Sequence, residues 1–581
     1  GITGLKKSVQ YSYKEQDVAR VRNFKAYKLD TGLQPYQNKQ NTKIKMSNSI
    51  KQKLRGKTIK FFGPPGTGKT HRLLKRVERF LKRGVSPDEI CYISFTNKAV
   101  EECRDRVRKQ FKGYDEDDFK YFRTLHSLAR QQFADIPVLD PKVDMLQFHT
   151  QYGTVKINYK PTWDDQKVYN NWSLQIYDRA RNMKMDPIAL YKKEPRKKVR
   201  LQQFKSIIAG YEQYKTYETN PGEFKNDRLD FTDMVQKYID TGLPIPFKVL
   251  MVDEAQDLTP LQWDMVVKLA MNSDKVYLAG DDDQAIYEWN GADVIFFQTF
   301  PGRIKILQHS RRLNKKVHFF SKCILNGMEG YRIKKEFTSN DNDGEIYKWS
   351  TFKKIPWQME GSWMVLARIN DVKKELQDEA RKFGLYFQDM RGNKSFDINQ
   401  WKAICDWQTV CDGGAITRED ACNMYTYLLN IDHGYRSADS KKWSFAHPNQ
   451  VFNFEQLHLQ GGMTEEKVNW VAAFRRKFKD KEKIYFNKLI DSGVNLDDKA
   501  KIIIDTIHQV KGGEADNVVL SAKCNFPSHF ERKNLEERIK ELRVWYTGVT
   551  RTINTLHLLG TYHKYHFPLS KYYKLYKSNY V

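Results

Sequence analysis

One segment, GPPGTGKT (Gly63–Thr70), constrains the fold of this 581-residue chain more than any other feature. It follows an apolar run, Thr58–Phe62, that is typical of a strand, and it precedes apolar residues at helical spacing that stop at Gly84. The segment matches the phosphate-binding pattern G-x-x-x-x-G-K-[ST] in the strand–loop–helix order that this pattern requires. Its glycines allow backbone N–H groups to curl around phosphate oxygens at a helix N-terminus. We therefore predict a nucleotide site on a parallel α/β domain.

Two short segments contain the residues expected to act on the nucleotide. In the phosphate-binding loop, Lys69 is predicted to reach the β- and γ-phosphates and Thr70 to bind Mg²⁺. The loop residues of the predicted site are Gly63, Pro64, Pro65, Gly66, Thr67, Gly68, Lys69 and Thr70. The apolar strand in KVLMVDEAQD delivers Asp253, a predicted Mg²⁺ ligand, and Glu254, the predicted acceptor of a proton from water. The alternative, that both carboxylates only cap the next helix, is disfavoured by the upstream loop.

The charge of the chain indicates a polyanionic partner. Its 99 Lys and Arg outnumber 71 Asp and Glu, giving a formal net charge of +28 and a pI near 9.4. Because cations on phosphates release condensed counterions, nucleic acid is the first candidate and an acidic membrane surface the second. We find no run of about 18 or more apolar residues and no apolar signal-peptide core at the start. These features and seven scattered cysteines predict a cytoplasmic protein, or a nuclear one in a eukaryote.

Alternating strand and helix patterns predict an α/β fold with two parallel-sheet cores, each interrupted by a mainly helical insertion. Residues 1–57 form a basic extension, either a nucleic-acid-binding arm or a solvated tail. The predicted bounds are 58–125 and 226–300 for the first core, 126–225 for its insertion, 301–390 and 496–581 for the second core, and 391–495 for its insertion.

Further motifs resemble a known family. DEAQD, followed by AGDDDQAIYEWNGAD at 279–293, resembles motifs II and III of superfamily 1 helicases, in the form found in the UvrD/Rep/PcrA branch. The remaining motifs follow in the family's order: ISFTNKAVEE, FRTLHSLA, LDFTDMV, LQHSRRL, TIHQVKGGEADNVVL and ELRVWYTGVTRT. The resemblance runs from Phe61 to Leu559 and implies two RecA-like P-loop domains with ATP and Mg²⁺ in the cleft between them.

The resemblance assigns roles in ATP hydrolysis to both domains. Gln284 would sense the γ-phosphate, and Glu514 would contact the ribose or the nucleotide edge. Arg312 and Arg551 would act from the second domain as arginine fingers. Intact residues at all these positions disfavour a catalytically inactive scaffold.

Two positions depart from the family at the expected adenine site. Arg311 stands where relatives have a stacking tyrosine, and His71 stands where they have an arginine. A guanidinium and an imidazole can still sandwich a purine by stacking and cation–π contact. Strict preference for ATP over GTP therefore stays open.

The resemblance also implies a track for one nucleic-acid strand. The residues expected to hold its backbone are Thr96, Asn97, Thr124 and His126 on the first domain and Thr506 and His508 on the second. Tyr287 and Trp289 would offer aromatic faces to the bases, although core packing is the alternative role for each ring.

The function implied is an ATP-dependent DNA helicase or translocase that moves 3′→5′ on single-stranded DNA and meets junctions with duplex. Replication or repair proteins are candidate partners, and no membrane association is expected. One alternative is a translocase that remodels protein–DNA complexes with little unwinding, because the second insertion is shorter than in large bacterial relatives. Another is an RNA-directed motor. The compact form and basic lead-in suit a phage or viral enzyme.

Overall fold

The computed structural model describes residues 46–94, 97–111, 113–139, 171–195, 197–216, 228–428, 450–461, 463, 466–474, 478–495, 498–525 and 528–580. Among these, residues 136–232 form one compact unit, and residues 46–135 together with those from 233 onward form another. The larger unit contains two six-stranded parallel sheets. These two sheets confirm the predicted α/β class with two RecA-like domains, called here the first and second domain.

The first sheet contains the strand that precedes the predicted phosphate-binding loop. Its strands are β1 (Thr58–Phe62), β2 (Ile90–Ile93), β3 (Phe122–Arg123), β4 (Val249–Val252), β5 (Lys275–Gly280) and β6 (Arg303–Ile306). They are ordered β3-β2-β4-β5-β1-β6, and every pair is parallel. Because β6 pairs with β1, this sheet extends past the boundary predicted at residue 300. The half-exposed edge sequence RIKI lacks the apolar run that identified the other strands.

The second sheet repeats this architecture. The next strands along the chain are β7 (Glu345–Trp349), β8 (Trp363–Ala367), β9 (Phe387–Gln388), β10 (Ala415–Thr417), β11 (Val451–Asn453), β12 (Ile502–Thr506), β13 (Ala515–Ser521) and β14 (Thr552–Leu559). Six of them form a parallel sheet in the order β7-β14-β13-β8-β12-β9, while β10 and β11 make a separate antiparallel pair. The carboxyl ends of parallel strands meet at one edge, so the residues after β8, β12, β13 and β14 share an edge.

Helices cover these sheets and build the intervening regions. They are α1 (Asn48–Arg55), α2 (Lys69–Leu81), α3 (Asn97–Gln110), α4 (Leu125–Gln131), α5 (Trp172–Asn182), α6 (Pro187–Lys193), α7 (Leu201–Lys215), α8 (Phe231–Thr241), α9 (Pro260–Met271), α10 (Val294–Thr299), α11 (Lys315–Leu325), α12 (Asn370–Lys382), α13 (Ile398–Cys411), α14 (Arg418–Tyr425), α15 (Phe454–Gly461), α16 (Trp470–Ala473), α17 (Asp480–Asp491), α18 (Leu535–Val549) and α19 (Leu569–Tyr580). Within the described ranges, none of these helices has the length and apolar character that a membrane crossing needs.

Two helical regions have cores of their own. In the smaller unit, α5 and α7 pack through Leu174, Tyr177 and Tyr211, and Arg181 makes a buried ion pair with Asp230 at 2.6 Å. In the larger unit, the region from α13 to α17 packs around an aromatic cluster. Its largest buried side chains include Trp401, Trp407, Trp470 and Phe486. The tryptophans of this region, which lies between β9 and β12, therefore form its hydrophobic core.

Candidate active site

The phosphate-binding loop connects β1 to α2 and depends on two left-handed glycines. Gly66 and Gly68 have φ values of 74° and 77°, a region that glycine enters without steric cost. A Cβ atom at Gly66 would also lie 2.4 Å from the Cβ atom of Arg312, so no larger residue fits there. The Lys69 ammonium donates a hydrogen bond to the Gly63 carbonyl at 3.1 Å. The loop thus has the backbone geometry predicted from its sequence.

Two predicted magnesium ligands lie side by side at the end of β4. Thr70 Oγ1 donates to Asp253 Oδ2 at 2.6 Å, and the Tyr92 hydroxyl donates to the same oxygen at 3.0 Å. Burial, followed by the charge of Glu254, raises the pKa of Asp253. A hydroxyl and a carboxylate beside the phosphate-binding loop fit a hard cation such as Mg²⁺, which prefers oxygen ligands. Tyr92 was not predicted, because nothing separates it by sequence from the apolar residues of β2.

Glu254 follows Asp253 in a left-handed backbone conformation, with a φ of 51°. Burial alone would raise the pKa of Glu254, but the positive charges of Lys69, Lys511 and Arg551 outweigh it and lower the pKa to about 2. Gln256 Nε2 donates to Glu254 Oε2 at 2.5 Å and holds the carboxylate in place. The side chain is therefore ionised at neutral pH and able to accept a hydrogen bond from water.

Gln284 and Arg551 join the two domains at this site. Gln284 Nε2 donates to Asp281 Oδ2 at 2.7 Å, and Arg551 Nη2 donates to Gln284 Oε1 at 2.5 Å. Arg551 is only 2% exposed and also donates to the Gly513 carbonyl at 3.1 Å. Burial, with the charge of Arg312 next, lowers the pKa of Arg551 to about 9, so the group stays charged at neutral pH. A residue after β5 is thus bonded directly to the residue before β14.

The second predicted arginine finger lies against the phosphate-binding loop. Ser310 Oγ donates to the Pro65 carbonyl at 2.7 Å, and the Arg311 amide donates to the Gly66 carbonyl at 3.0 Å. The next residue, Arg312, forms an ion pair with Glu514 at 2.5 Å. The predicted ribose contact, Glu514, is therefore the partner of a predicted finger.

The two residues at the expected adenine position are both exposed. The pKa of His71 is lowered by burial first, then by the charges of Lys75 and Arg311. The charge of Arg311 thus acts on the His71 imidazole. That these two side chains sandwich a purine stays a prediction.

Lys511 is a central residue that sequence reasoning missed. Its ammonium donates to the Gln284 carbonyl at 2.8 Å and forms an ion pair with Asp257 at 2.5 Å. It also lies 5.0 Å from the ring centroid of Tyr287. Burial raises the pKa of Asp257 to about 6, even though Lys511 opposes that shift. Its only sequence signal is its position between His508, a predicted strand contact, and Glu514, a predicted nucleotide contact.

A buried ion network supports Gln284 from behind. Asp281, Asp282 and Asp283 are fully buried, and the equally buried Lys335 ammonium pairs with all three, at 3.1 Å from Asp281 and 2.9 Å from Asp283. Arg332 adds a second pair to Asp283. The three carboxylates lie close enough together to hold a metal ion, but the Lys335 ammonium supplies their counter-charge. No spacing or motif indicates that these cations, about fifty positions downstream, contact the aspartates.

The predicted strand contacts on the first domain are partly described. Thr96 lies outside the described residues, and so does the side chain of Asn97, the first residue of α3. Thr124 caps α4 by accepting a hydrogen bond from the Ser127 amide at 3.3 Å, and His126 is half-buried in that helix. Their role in binding a strand stays a prediction.

The aromatic residues and the predicted contacts of the second domain come together. The Tyr287 hydroxyl donates to the His508 carbonyl at 3.2 Å, and the Trp289 and His508 ring centroids are 6.3 Å apart. Thr506 is buried at the end of β12, whereas Trp289 is 47% exposed. The Trp289 ring therefore presents a surface that a base can reach, while Tyr287 packs partly against the second domain's core.

The fold and the site define a P-loop nucleotide-binding protein with two RecA-like domains. Residues 45–305 match the family model of the UvrD/REP helicase N-terminal domain. This match and the relatives below support the UvrD/Rep/PcrA-like branch of superfamily 1 that the motif order predicted.

Individual relatives are distant and longer. The chain is 24% identical over 459 residues to "ATP-dependent DNA helicase PcrA" of Bacillus subtilis, covering 71% of this chain and 59% of that protein. It is 22% identical over 467 residues to the protein of the same name from Staphylococcus aureus, covering 73% and 62%. The chain thus spans about three-fifths of the length of these relatives. A solved helicase–DNA complex of arterivirus nonstructural protein 10 covers 91% of this chain and 65% of that chain, at 10% identity and a TM-score of 0.31.

Proposed function

We propose that this protein is an ATP-dependent DNA helicase or translocase that moves 3′→5′ along single-stranded DNA. The observation that supports the proposal best is the hydrogen bond between Gln284 and Arg551, which joins the predicted γ-phosphate sensor to the predicted finger. It makes the geometry of the cleft depend on both domains at once. The names of the PcrA relatives support DNA as the track, and the direction rests on the family resemblance.

For hydrolysis, Thr70 and Asp253 would hold Mg²⁺, which would neutralise phosphate charge when bound. Lys69 would bind the β- and γ-phosphates, and Glu254 would orient the attacking water and accept its proton. Arg551 would stabilise charge on the leaving phosphoryl oxygens together with Arg312. Each of these groups lies at or beside the phosphate-binding loop, so no large movement is needed to assemble them.

Coupling would follow from contacts that cross the cleft. The Arg311 amide and the Ser310 hydroxyl bind carbonyls of the phosphate-binding loop, so the second domain here approaches the nucleotide site closely. We expect release of phosphate to weaken this approach and open the cleft, as in other gated P-loop enzymes. If Trp289 and His508 grip the strand differently in the two states, each cycle advances it.

The first experiment is ATP hydrolysis with and without single-stranded DNA at a fixed salt concentration. We expect strong stimulation in the wild type and its loss in Lys69→Ala and in Glu254→Gln, both folded as judged by thermal melting. ATPase above about a tenth of the wild-type rate in either variant would contradict the assignment of the site, because such groups contribute a hundredfold or more. Stimulation by RNA alone would overturn DNA as the track while leaving the ATP site intact.

Duplexes with a single 3′ or 5′ tail then test movement. Strand separation only with a 3′ tail is the expected result. Displacement of a bound protein without strand separation would favour the alternative translocase. Separation only with a 5′ tail would overturn the direction.

A further inference from the structure

The second sheet ends in a basic and aromatic loop outside the proposed active site. Loop 560–567 follows β14 and contains Tyr562, His563, Lys564, Tyr565 and His566. Tyr562 is 98% exposed, the highest value among the large exposed hydrophobic side chains of the described residues. The surrounding sequence is one-sided in charge, because residues 560–581 contain four Lys and no Asp or Glu. A loop that combines an exposed aromatic ring with cations offers a stacking face and phosphate contacts together.

Backbone hydrogen bonds hold this loop in place. The Cys524 amide donates to the Tyr565 carbonyl at 3.1 Å, and the Phe567 amide donates to the Ala522 carbonyl at 2.9 Å. His529 Nε2 hydrogen-bonds the Lys564 carbonyl at 3.2 Å from the other side. At the start of the loop, the Gly560 amide donates to the Trp349 carbonyl at 2.9 Å. Because both ends of the loop are fixed, the Tyr562 ring is presented on an ordered support, and its binding would cost little backbone entropy.

The cations near Tyr562 are available to an anion. Lys523 forms an ion pair with Glu375 at 2.5 Å, so its charge is already neutralised by a carboxylate. Within the described part of the chain, Lys564 and Lys571 form no salt bridge. The Lys564 ammonium lies 4.9 Å from the Tyr565 ring centroid, so a cation and an aromatic face are adjacent. This combination suits a phosphate and a neighbouring base of one strand.

The loop shares a sheet edge with the proposed strand track. Thr506 ends β12 and His508 follows it, and loop 560–567 follows β14, at the carboxyl edge of the same parallel sheet. In the order β14-β13-β8-β12, three strand spacings separate them, about 14 Å at roughly 4.8 Å each. That distance corresponds to about four nucleotides at the 3.4 Å rise of a stacked strand.

We propose that loop 560–567 is a second contact for the single-stranded nucleic acid held by the motor, with Tyr562 as a stacking platform and Lys564 and Lys571 as phosphate contacts. This inference rests on the proposed function, because it extends the same track along the second domain. A single strand is favoured over a duplex because only unpaired bases offer a face to the ring. The contact lengthens the stretch of strand bound at one time.

The test measures binding of oligodeoxythymidine by fluorescence anisotropy, using lengths of about 8 and about 20 nucleotides, one within and one beyond ordinary single-strand site sizes. In the full-length protein, Tyr562→Ala should weaken binding of the long oligonucleotide at least fivefold, the low end for loss of one stacked base. Binding of the short oligonucleotide and the ATPase it stimulates should not change. Tyr562→Phe retains the ring and should bind the long oligonucleotide as the wild type does.

Charge variants complete the test. Lys564→Gln should reduce the dependence of long-oligonucleotide affinity on salt by about 0.7 in logarithmic slope, as one lost phosphate contact predicts. The matched control is Lys577→Gln, which removes a charge from the same acid-free stretch but near the far end of α19 and should leave the slope unchanged.

The possible failures are distinguishable. If the wild type binds neither length and no strand stimulates its ATPase, the proposed function fails. If the wild type binds both lengths but Tyr562→Ala equals it at each, this surface is not part of the track. Equal weakening by Tyr562→Phe and Tyr562→Ala would assign the effect to the hydroxyl and overturn stacking.

Discussion

The two RecA-like domains each have a six-stranded parallel sheet but contribute opposite charges to the cleft. The first domain contributes carboxylates that are buried or half-buried: Asp253, Glu254, Asp257, Asp281, Asp282, Asp283 and Glu288. The second contributes the cations that meet them, among them Lys335, Lys511, Arg543 and Arg551. Neither set could remain buried and charged alone, because an isolated buried charge costs several kcal/mol. These opposite charges therefore stabilise the contact between the two domains.

Many of the contacts between the two domains involve one segment of the first domain, residues 281–288. Residues 281–288 leave the first sheet after β5, yet Ile286 is buried in the second domain's hydrophobic core. Glu288 forms an ion pair with Arg543 from α18. The segment that carries Gln284 is thus anchored on both sides. A change at the nucleotide should reach the second domain through it, and variants on each side can test that claim.

Arg551→Ala should have the largest effect. We expect ATPase stimulated by single-stranded DNA to fall by about 10³ or more, because arginine fingers contribute roughly 10³–10⁵ in rate. Arg551→Lys should not restore it, since an ammonium cannot reproduce the fork that binds both Gln284 and the Gly513 carbonyl. The control is Arg391→Ala, at an exposed arginine of the second domain. Near wild-type ATPase in folded Arg551→Ala would remove this residue from the site.

Lys335→Met should come next and should affect stability first. It leaves three buried aspartates with only Arg332 opposite them, and breaking a buried ion pair costs roughly 3–5 kcal/mol. We expect a lowered denaturation midpoint, measured by urea unfolding, together with lost ATPase. Arg332→Met removes the more exposed cation and should cost less. An equal midpoint for Lys335→Met and the wild type would show that the network does not hold the domains together.

The strand–loop–helix order around Gly63–Thr70 and the carboxylates after β4 could be predicted from the sequence, because these elements follow one another along the chain. Their roles in hydrolysis stay predictions. Sequence reasoning failed for Lys335, Arg332 and Tyr92, whose roles depend on tertiary partners that no spacing reveals. It also missed β6, because an exposed edge strand need not be apolar. Assignments such as Gln284 came from family resemblance, and the structure adds hydrogen-bond partners to them.

Trp289→Ala should reduce unwinding more than ATP hydrolysis. The ring lies on the first domain's side and meets His508 of the second, so its loss should weaken movement more than hydrolysis. We expect about a tenfold loss of unwinding rate, within the roughly 1–3 kcal/mol of one stacked base, with DNA-stimulated ATPase mostly retained. Trp289→Phe should recover part of the unwinding. An equal loss of both activities would indicate a folding role for the side chain.

Tyr92→Phe should have the smallest effect. The Tyr92 hydroxyl contacts a carboxylate of the first domain, which lies on the acidic side of the cleft. The hydroxyl donates to the same Asp253 oxygen that accepts from Thr70, so it orients the carboxylate without crossing to the second domain. Losing one hydrogen bond to a charged group costs about 1.5–3 kcal/mol, part of which relaxation should recover. We expect the Mg²⁺ concentration needed for half-maximal binding of a fluorescent ADP analogue to rise about threefold to tenfold, while binding without Mg²⁺ stays unchanged. If instead DNA affinity changed and the Mg²⁺ dependence did not, the acidic side would not act independently of the basic one, and the division of labour between the two domains would have to be abandoned.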